Sequence, residues 1–348
     1  MSAGRVVKII LIVFLVGLAI AGIKGYGIYK KAFAPNVTVK SEEPIYFYVK
    51  TGDSFEDVIT ALEKSELVDN MKSLNWTAKR KNYASHVKPG RYLVKNRMSS
   101  NELVNMLRSG NQEPLNITFN NVNRLTDFSE RIADQLEFES DSLLRLLTDT
   151  AVHAKYGFNA QTMPAMFVPN TYEFYWNTPP DKFLDRMYKE YDNFWNRSRL
   201  AKAKKLNMTP VEVVSLAAIV NKEVRFDEEK KIVAGLYINR INKGIRLQSD
   251  PTLIYAWNDY SIRRVLNKHK KIDSPYNTYK YAGLPPGPIC IPDISSIDGV
   301  LNYKKHSYLY MCAKPDFSGY HNFAKTLKQH NRNAAAYRRE LNKRRIYN

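Results

Sequence analysis

The chain is poor in several things that would otherwise fix its class. Its 348 residues include two cysteines, Cys290 and Cys312, too few for a disulfide framework and without a metal-ligand spacing. They can form one bridge or stay reduced, and the sequence leaves both open. No low-complexity tract exceeds a few residues and no long repeat is evident, so neither an array nor a chain of biased composition is indicated. His321 and His330 are nine apart, a spacing that suits neither a zincin helix nor a finger, so no metal is expected. Acidic residues are scarce: 34 Asp and Glu stand against 53 Lys and Arg, a net charge of +19. That excess points to an anionic partner, namely nucleic acid, an acidic membrane face or a charged cell-wall polymer. No recognition motif accompanies the charge, so nucleic acid is not the expected partner.

Long apolar runs are equally scarce, with one exception. Ile9 to Ile23 carries no charge, and Val6, Val7, Tyr26, Ile28 and Tyr29 lengthen the apolar region to about the twenty residues a spanning helix needs. Lys8 and Lys24 can snorkel from its ends. No small-residue cleavage site follows, so residues 1–29 are expected to be a short stub and an uncleaved transmembrane anchor. Arg5 and Lys8 on one side are matched by Lys24, Lys30 and Lys31 on the other, and the charge rule does not orient it. Residues 30–43 then read as a polar juxtamembrane linker.

The rest is long enough for two domains with cores of their own. Pro44 to Lys50 alternates as a strand, Ser54 caps a helix carrying Phe55, Val58, Ile59 and Leu62, a second helical stretch runs to about Tyr83, and Gly90 to Val94 returns as a strand. That order resembles a LysM-type carbohydrate-binding fold. Ser99 and Glu102 form a capping box for a helix stopping at Gly110, Leu115 to Phe119 alternates as a strand, and Thr126 starts another helix. Residues 140–200 read as helical and aromatic, interrupted by Phe167 to Trp176. Aromatics at this density commonly mean core, but Asn170 and Tyr172 also offer the mixture of rings and polar groups that a sugar cleft needs.

The most informative stretch is Thr209 to Pro251. Thr209, Pro210 and Glu212 spell a capping box with proline at the first helical position, and the helix should run to about Glu223. Glu223 falls on the face of Leu216, Ile219 and Val220, so an apolar stripe leads to an acid at a helix C-terminus. Apolar neighbours and the macrodipole both disfavour its ionised form, which is what a general acid requires. Asp227 can cap a second helix ending at Gly244, Ile245 to Gln248 reads as a short strand, and Asp250 can cap a third helix. Gln248, Ser249 and Asp250 are thereby brought towards Glu223. A turn-rich loop from Gly283 to Ile289 suits a rigid wall holding Asn277, Thr278 and Tyr279. The basic segment Lys325 to Arg345 reads as a solvated helix face.

The strings SLAAIVNKE, LYINRINKGIRLQSDPTLIYA, YNTYKYAGLPPGPI and HNFAKTLKQHN, in this order, resemble the MltG (YceG-like) endolytic murein transglycosylases. The resemblance implies an α+β chain: anchor, linker, a LysM-like α+β subdomain over 44–120 and a larger helix-rich catalytic domain with short strands over 121–348. It implies an inner-membrane protein with its bulk on the periplasmic side that cuts nascent peptidoglycan glycan strands internally, leaves 1,6-anhydro-MurNAc ends, needs no cofactor and works beside glycan polymerases and other cell-wall synthesis proteins. Glu223 falls on the family's catalytic acid. Gln248, Ser249, Asp250, Asn277, Thr278, Tyr279, Asn170, Tyr172 and His321 are the candidate substrate-binding residues. One departure is Asn221, which replaces the first acid of the family motif. The alternative is a catalytically inactive, membrane-tethered scaffold that binds glycan and recruits cell-wall synthesis proteins.

Overall fold

The uncharged N-terminal run folds as part of one long helix, α1 (Ala3–Phe33), in a computed structural model that describes residues 3–120 and 122–344. Asn121, the expected start of the larger domain, and Arg345, the expected end of the basic segment, lie outside the described residues, as do the side chains of Val6 and Val7. The stretch Lys8–Phe33, 26 residues long, is apolar and long enough to cross a membrane. At 1.5 Å per residue it spans about 39 Å, more than a hydrocarbon core of about 30 Å. Large apolar side chains from Ile9 to Tyr29 stand open on its surface.

The chain divides into two compact units, Met1–Asn116 with Glu173–Thr178, and Ile117–Tyr172 with Pro179–Asn348. In the first, β1 (Ile45–Val49), α2 (Phe55–Lys64), α3 (Met71–Arg80) and β2 (Gly90–Val94) follow in the expected order, and β1 pairs antiparallel with β2, Phe47 opposite Tyr92. Next comes α4 (Ser100–Ser109), which Gly110 ends at φ 71. Ser54 with Asp57 and Ser99 with Glu102 form complete capping boxes. Phe47, Val49, Val58, Leu62, Leu74, Tyr92 and Leu103 are buried together. The linker expectation needs correction. α1 continues to Phe33, Pro35 and Val37 bridge to Ser99 and Val68, and buried Asn36 donates through Nδ2 to Ser100 Oγ at 2.8 Å. A buried amide with bonded partners fixes this stretch to the unit.

The second unit opens with β3 (Leu115–Phe119), whose first two residues belong to the other, then α5 (Leu125–Ala133), α6 (Ser140–Thr148), α7 (Thr150–Tyr156) and β4 (Asn170–Phe174), whose last two residues belong to the other. Next come α8 (Pro180–Phe194), α9 (Arg197–Lys205), α10 (Pro210–Glu223), α11 (Asp227–Asn242), α12 (Asp250–Trp257), α13 (Ile294–Leu301), β5 (Tyr310–Ala313), β6 (His321–Ala324) and α14 (Leu327–Lys343). Among the described residues the strands form three two-stranded sheets, β1–β2, β3–β4 and β5–β6. α10 is the centre of the core: every residue from Val213 to Val220 is buried, and α11 and α13 pack on it. Each buried Val, Leu or Ile there contributes about 1.5–3 kcal/mol.

Several local expectations shift. α5 is capped at Arg124, two residues ahead of Thr126, and α11 at Phe226. Asp227 instead lies in the first turn, where its carboxylate meets buried Lys230 Nζ at 2.7 Å. No strand forms at Ile245 to Gln248: Ile245 N donates back to Arg240 O, closing the helix end around Gly244 at φ 66, and Gln248 turns left-handed at φ 53. Neither geometry permits an extended run. Ser249 occupies the cap position of α12, which leaves the Asp250 carboxylate free for other partners.

Candidate active site

Glu223 is the last residue of α10, placed there because its capping box fixes where the helix starts and Val224 leaves helical geometry at φ −129. Its carboxylate is half-buried and closely surrounded by protein. Oε1 accepts two hydrogen bonds, from Tyr237 Oη on α11 at 2.7 Å and from Ser249 Oγ at 2.5 Å. Oε2 has no partner among the described residues. Burial pushes the Glu223 pKa above the usual carboxylate range; the Ser249 and Tyr237 hydroxyls pull it back, the Asp250 charge adds to the rise and His321 opposes it. Two donors on one oxygen leave the other to carry the acid proton. Tyr237, driven up mainly by its own burial and then by the Glu223 charge, stays a neutral donor.

A frame of buried polar groups holds Ser249 against Glu223. Ser249 N donates to Thr278 Oγ1 at 3.0 Å, Gln248 N donates to Thr278 O at 3.1 Å, and the Thr252 and Thr278 hydroxyls meet at 2.8 Å. Asn277 is fully buried and its amide is spent inside the loop, Nδ2 donating to Lys270 O and Ile272 O while Oδ1 accepts from Tyr279 N and Lys280 N. Tyr279 is thereby aimed at Asp250, donating to Oδ1 at 2.5 Å. Arg240 ties three segments: it donates to Arg246 O, to Gln248 Oε1 at 2.8 Å and to Leu309 O at 2.8 Å. On the opposite side His321, first residue of β6, is held by Glu229, whose Oε1 accepts from His321 N at 2.8 Å and whose Oε2 lies 2.7 Å from Nδ1.

These groups surround a cavity of about 340 Å³. Glu223, Tyr237, Arg240, Gln248, Asp250, Tyr279 and His321 line it, and β5 closes it with Tyr310, Met311 and Cys312. That volume lies within the range of small-molecule sites. Cys312 and buried Cys290 are both free thiols.

Of the residues singled out from sequence, Glu223, Gln248, Asp250, Tyr279 and His321 come together around the cavity, with Ser249 bonded directly to Glu223. Asn277 and Thr278 do not line it; they are struts behind the wall, since both are buried with their polar atoms engaged. Asn170 and Tyr172 are elsewhere. Tyr172 is core, stacked on Phe119 and donating to Val168 O, and the Asn170 side chain accepts from Thr171 N. Sequence reasoning passed over Tyr237, Arg240, Glu229 and the β5 wall. Tyr237 and Arg240, polar groups at i and i+3 on the face that carries Val233, were the available signal.

Comparison with known proteins gives a consistent picture. Residues 47–336 match the profile of the YceG-like family. The endolytic murein transglycosylase of Bacillus subtilis (strain 168) is 28% identical over 333 residues, 90% of this chain and 91% of that one. The endolytic murein transglycosylase of Streptococcus pneumoniae serotype 2 (strain D39) is 28% identical over 364 residues, 95% of this chain, which spans 65% of that longer protein. The crystal structure of a YceG-like protein from Listeria monocytogenes superposes with a TM-score of 0.56 at 28% identity, covering 84% of this chain and 99% of that one.

Proposed function

Since the chain belongs to the YceG-like family, we propose that it is an endolytic peptidoglycan lytic transglycosylase, cutting glycan strands internally at MurNAc–GlcNAc linkages and leaving 1,6-anhydro-MurNAc ends. The observation that carries this reading is Glu223: a carboxylate whose pKa is raised by burial, anchored through one oxygen, at the edge of a cavity. Protonated on Oε2, it delivers its proton to the glycosidic oxygen as the C1–O bond breaks. The muramoyl 6-hydroxyl of the same sugar then closes on C1, and no water is consumed. An intramolecular nucleophile gains from proximity, and an acid works best with its pKa near ambient pH. Ordinary glycosidases need a second carboxylate. Among the described residues Asp250 is the other carboxylate lining the cavity, but Tyr279 already holds one of its oxygens.

Gln248, Asp250, Tyr279 and His321 are the groups we assign to the sugar, with Ser249 and Tyr237 positioning the acid. Asn277 and Thr278 support this set from behind. The α1 helix is the membrane anchor, and the rest of the chain lies on the periplasmic side, where the strands emerge beside glycan polymerases. Order and pairing of β1, α2, α3 and β2 support a LysM-like, carbohydrate-binding reading of residues 44–120, with 121–348 catalytic. The inactive scaffold is not favoured, because Glu223 keeps its hydroxyl donors and its cavity. The test is digestion of uncross-linked glycan strands by full-length protein in detergent, wild type beside Glu223→Gln, with products read by mass spectrometry. Internal fragments with anhydro-muramic ends, absent with the variant, are expected. Reducing ends would mean a hydrolase and redirect attention to Asp250.

A further inference from the structure

Glu229 and His321 form a buried acid–imidazole pair whose purpose the single-acid scheme leaves unexplained. Glu229 lies in the first turn of α11 and is 5% exposed, an expensive place for a carboxylate unless it is bonded. Both its oxygens are used on one residue: Oε1 accepts the backbone N–H of His321, and Oε2 accepts from ring Nδ1. An ionised carboxylate can only accept, so the Nδ1 proton is fixed towards Glu229 and Nε2 is left as the lone-pair nitrogen. Nε2 has no partner among the described residues, and His321 lines the Glu223 cavity. Structural histidines in this chain differ: the buried His153 ring bonds Leu147 O and His306 bonds Ile232 O, with no carboxylate among the described residues hydrogen-bonded to either ring.

Building on the transglycosylase reading above, we infer that His321 is the general base of the reaction, taking the proton from the muramoyl 6-hydroxyl while Glu223 acts only as the acid, and that Glu229 is the residue positioning it. The bookkeeping closes without another reactant. The Glu223 proton goes to the departing O4 with the electron pair of the C1–O4 bond; O6 forms the new bond to C1; the O6 proton passes to His321 Nε2. The imidazolium then returns one proton to the Glu223 carboxylate, directly or through water, and both groups are reset. Two separate groups suit the geometry. Glu223 and His321 approach the cavity from different elements, α10 and β6.

The division of labour has a pH signature. His321 faces Glu229 from behind, and Glu223, Asp250, Arg240 and His330 share its cavity. With a separate base, kcat/KM rises on the acid side as Nε2 loses its proton and falls on the alkaline side as Glu223 loses its own. With Glu223 alone, the acid limb is absent. Full-length protein in detergent is assayed for anhydro-ended products across pH, as wild type, His321→Gln, His321→Gly and Glu229→Gln, with thermal melts to verify folding. We expect wild type to be bell-shaped, His321→Gln to lose about 10²–10⁴-fold and its acid limb, and added imidazole to restore activity to His321→Gly. Glu229→Gln should lose less, about tenfold, by loosening the ring. An acid limb that survives in His321→Gln, or a folded His321→Gln with wild-type kcat/KM, overturns the inference while leaving the transglycosylase reading intact. Absence of anhydro products from wild type would instead remove that reading, and this inference with it.

Discussion

Glu223→Gln should make the protein more stable while abolishing its activity. The ionised carboxylate at the end of α10 bears a desolvation penalty of several kcal/mol. Two hydrogen bonds to the charged form, each worth about 1.5–3 kcal/mol, oppose it. Because the Glu223 pKa stays raised despite the Tyr237 and Ser249 donors, desolvation wins, and the ionised acid is a net cost to the fold at neutral pH. Glutamine keeps an oxygen for both hydroxyls and carries no charge. For a unit this large, the Tm at pH 7.5 should rise by about 2–4 °C for each kcal/mol of that cost removed. The sign reverses the usual carboxylate case. Between the unfolded Glu pKa of about 4.3 and the raised folded value, the native state binds more protons than the unfolded one, so wild-type stability falls as pH rises through that window. The advantage of the variant should therefore vanish near pH 4 and grow towards neutrality. Calorimetry of the full chain in detergent over pH 4–8 reads this directly. A variant less stable at pH 7.5, or an advantage independent of pH, would refute a burial-dominated acid.

Three further outcomes follow from the same frame. Tyr237→Phe and Ser249→Ala each remove a donor to the ionised form of Glu223, so the alkaline limb of kcat/KM should move to higher pH; a limb that stays or moves down rules out their assigned role. Asn277→Ala leaves the carbonyls of Lys270 and Ile272 without their donor inside the protein, and should cost about 2–4 kcal/mol by denaturant unfolding and lower kcat through Tyr279. Gly287→Ala puts a Cβ 2.0 Å from Gln161 O, a clash with backbone rather than a flexible side chain, and should cost about 1–3 kcal/mol; wild-type Tm would show that the loop yields freely.

Legibility in the sequence tracks how local each cause is. The cap at Ser54 and the capping boxes at Ser99 and Thr209 are local chemistry and appear where the spacing puts them. The α10 stripe carrying Leu216, Ile219 and Val220 is equally local, and so is the position of Glu223 at its end. Expectations failed where a side chain found a distant partner. Asp227 reads as a cap, yet pairs with buried Lys230; Asp250 reads as a cap, yet meets Tyr279, 29 residues on. Asn170 and Tyr172 carry the composition of a sugar cleft, but nothing in composition says which way a strand faces, and Tyr172 faces the core. The Glu229–His321 contact joins residues 92 apart, a separation for which one sequence holds no signal.

The replacement of the motif's first acid by Asn221 also becomes intelligible through geometry. Residues 221 and 223 are two apart on α10, about 200° around a helix of 3.6 residues per turn, so they face different neighbours. Glu223 meets the cavity; Asn221 turns to the start of α13, where its Oδ1 accepts from Ser296 Oγ at 2.9 Å and from Asp293 N at 3.3 Å. Those donors sit at a helix N-terminus, which accepts an amide oxygen or a carboxylate equally well and favours negative charge by about 0.3–1 kcal/mol. An acid at 221 would thus serve packing between α10 and α13 and not proton transfer in the cavity. Asn221→Asp should fold with a stability within about 1 kcal/mol of wild type and keep its kcat and its pH profile, because the new charge is held by α13 on the far side of the helix. A gain in kcat of tenfold or more, or a shifted alkaline limb, would mean that position 221 reaches the reacting sugar after all, and would return a second carboxylate to the mechanism.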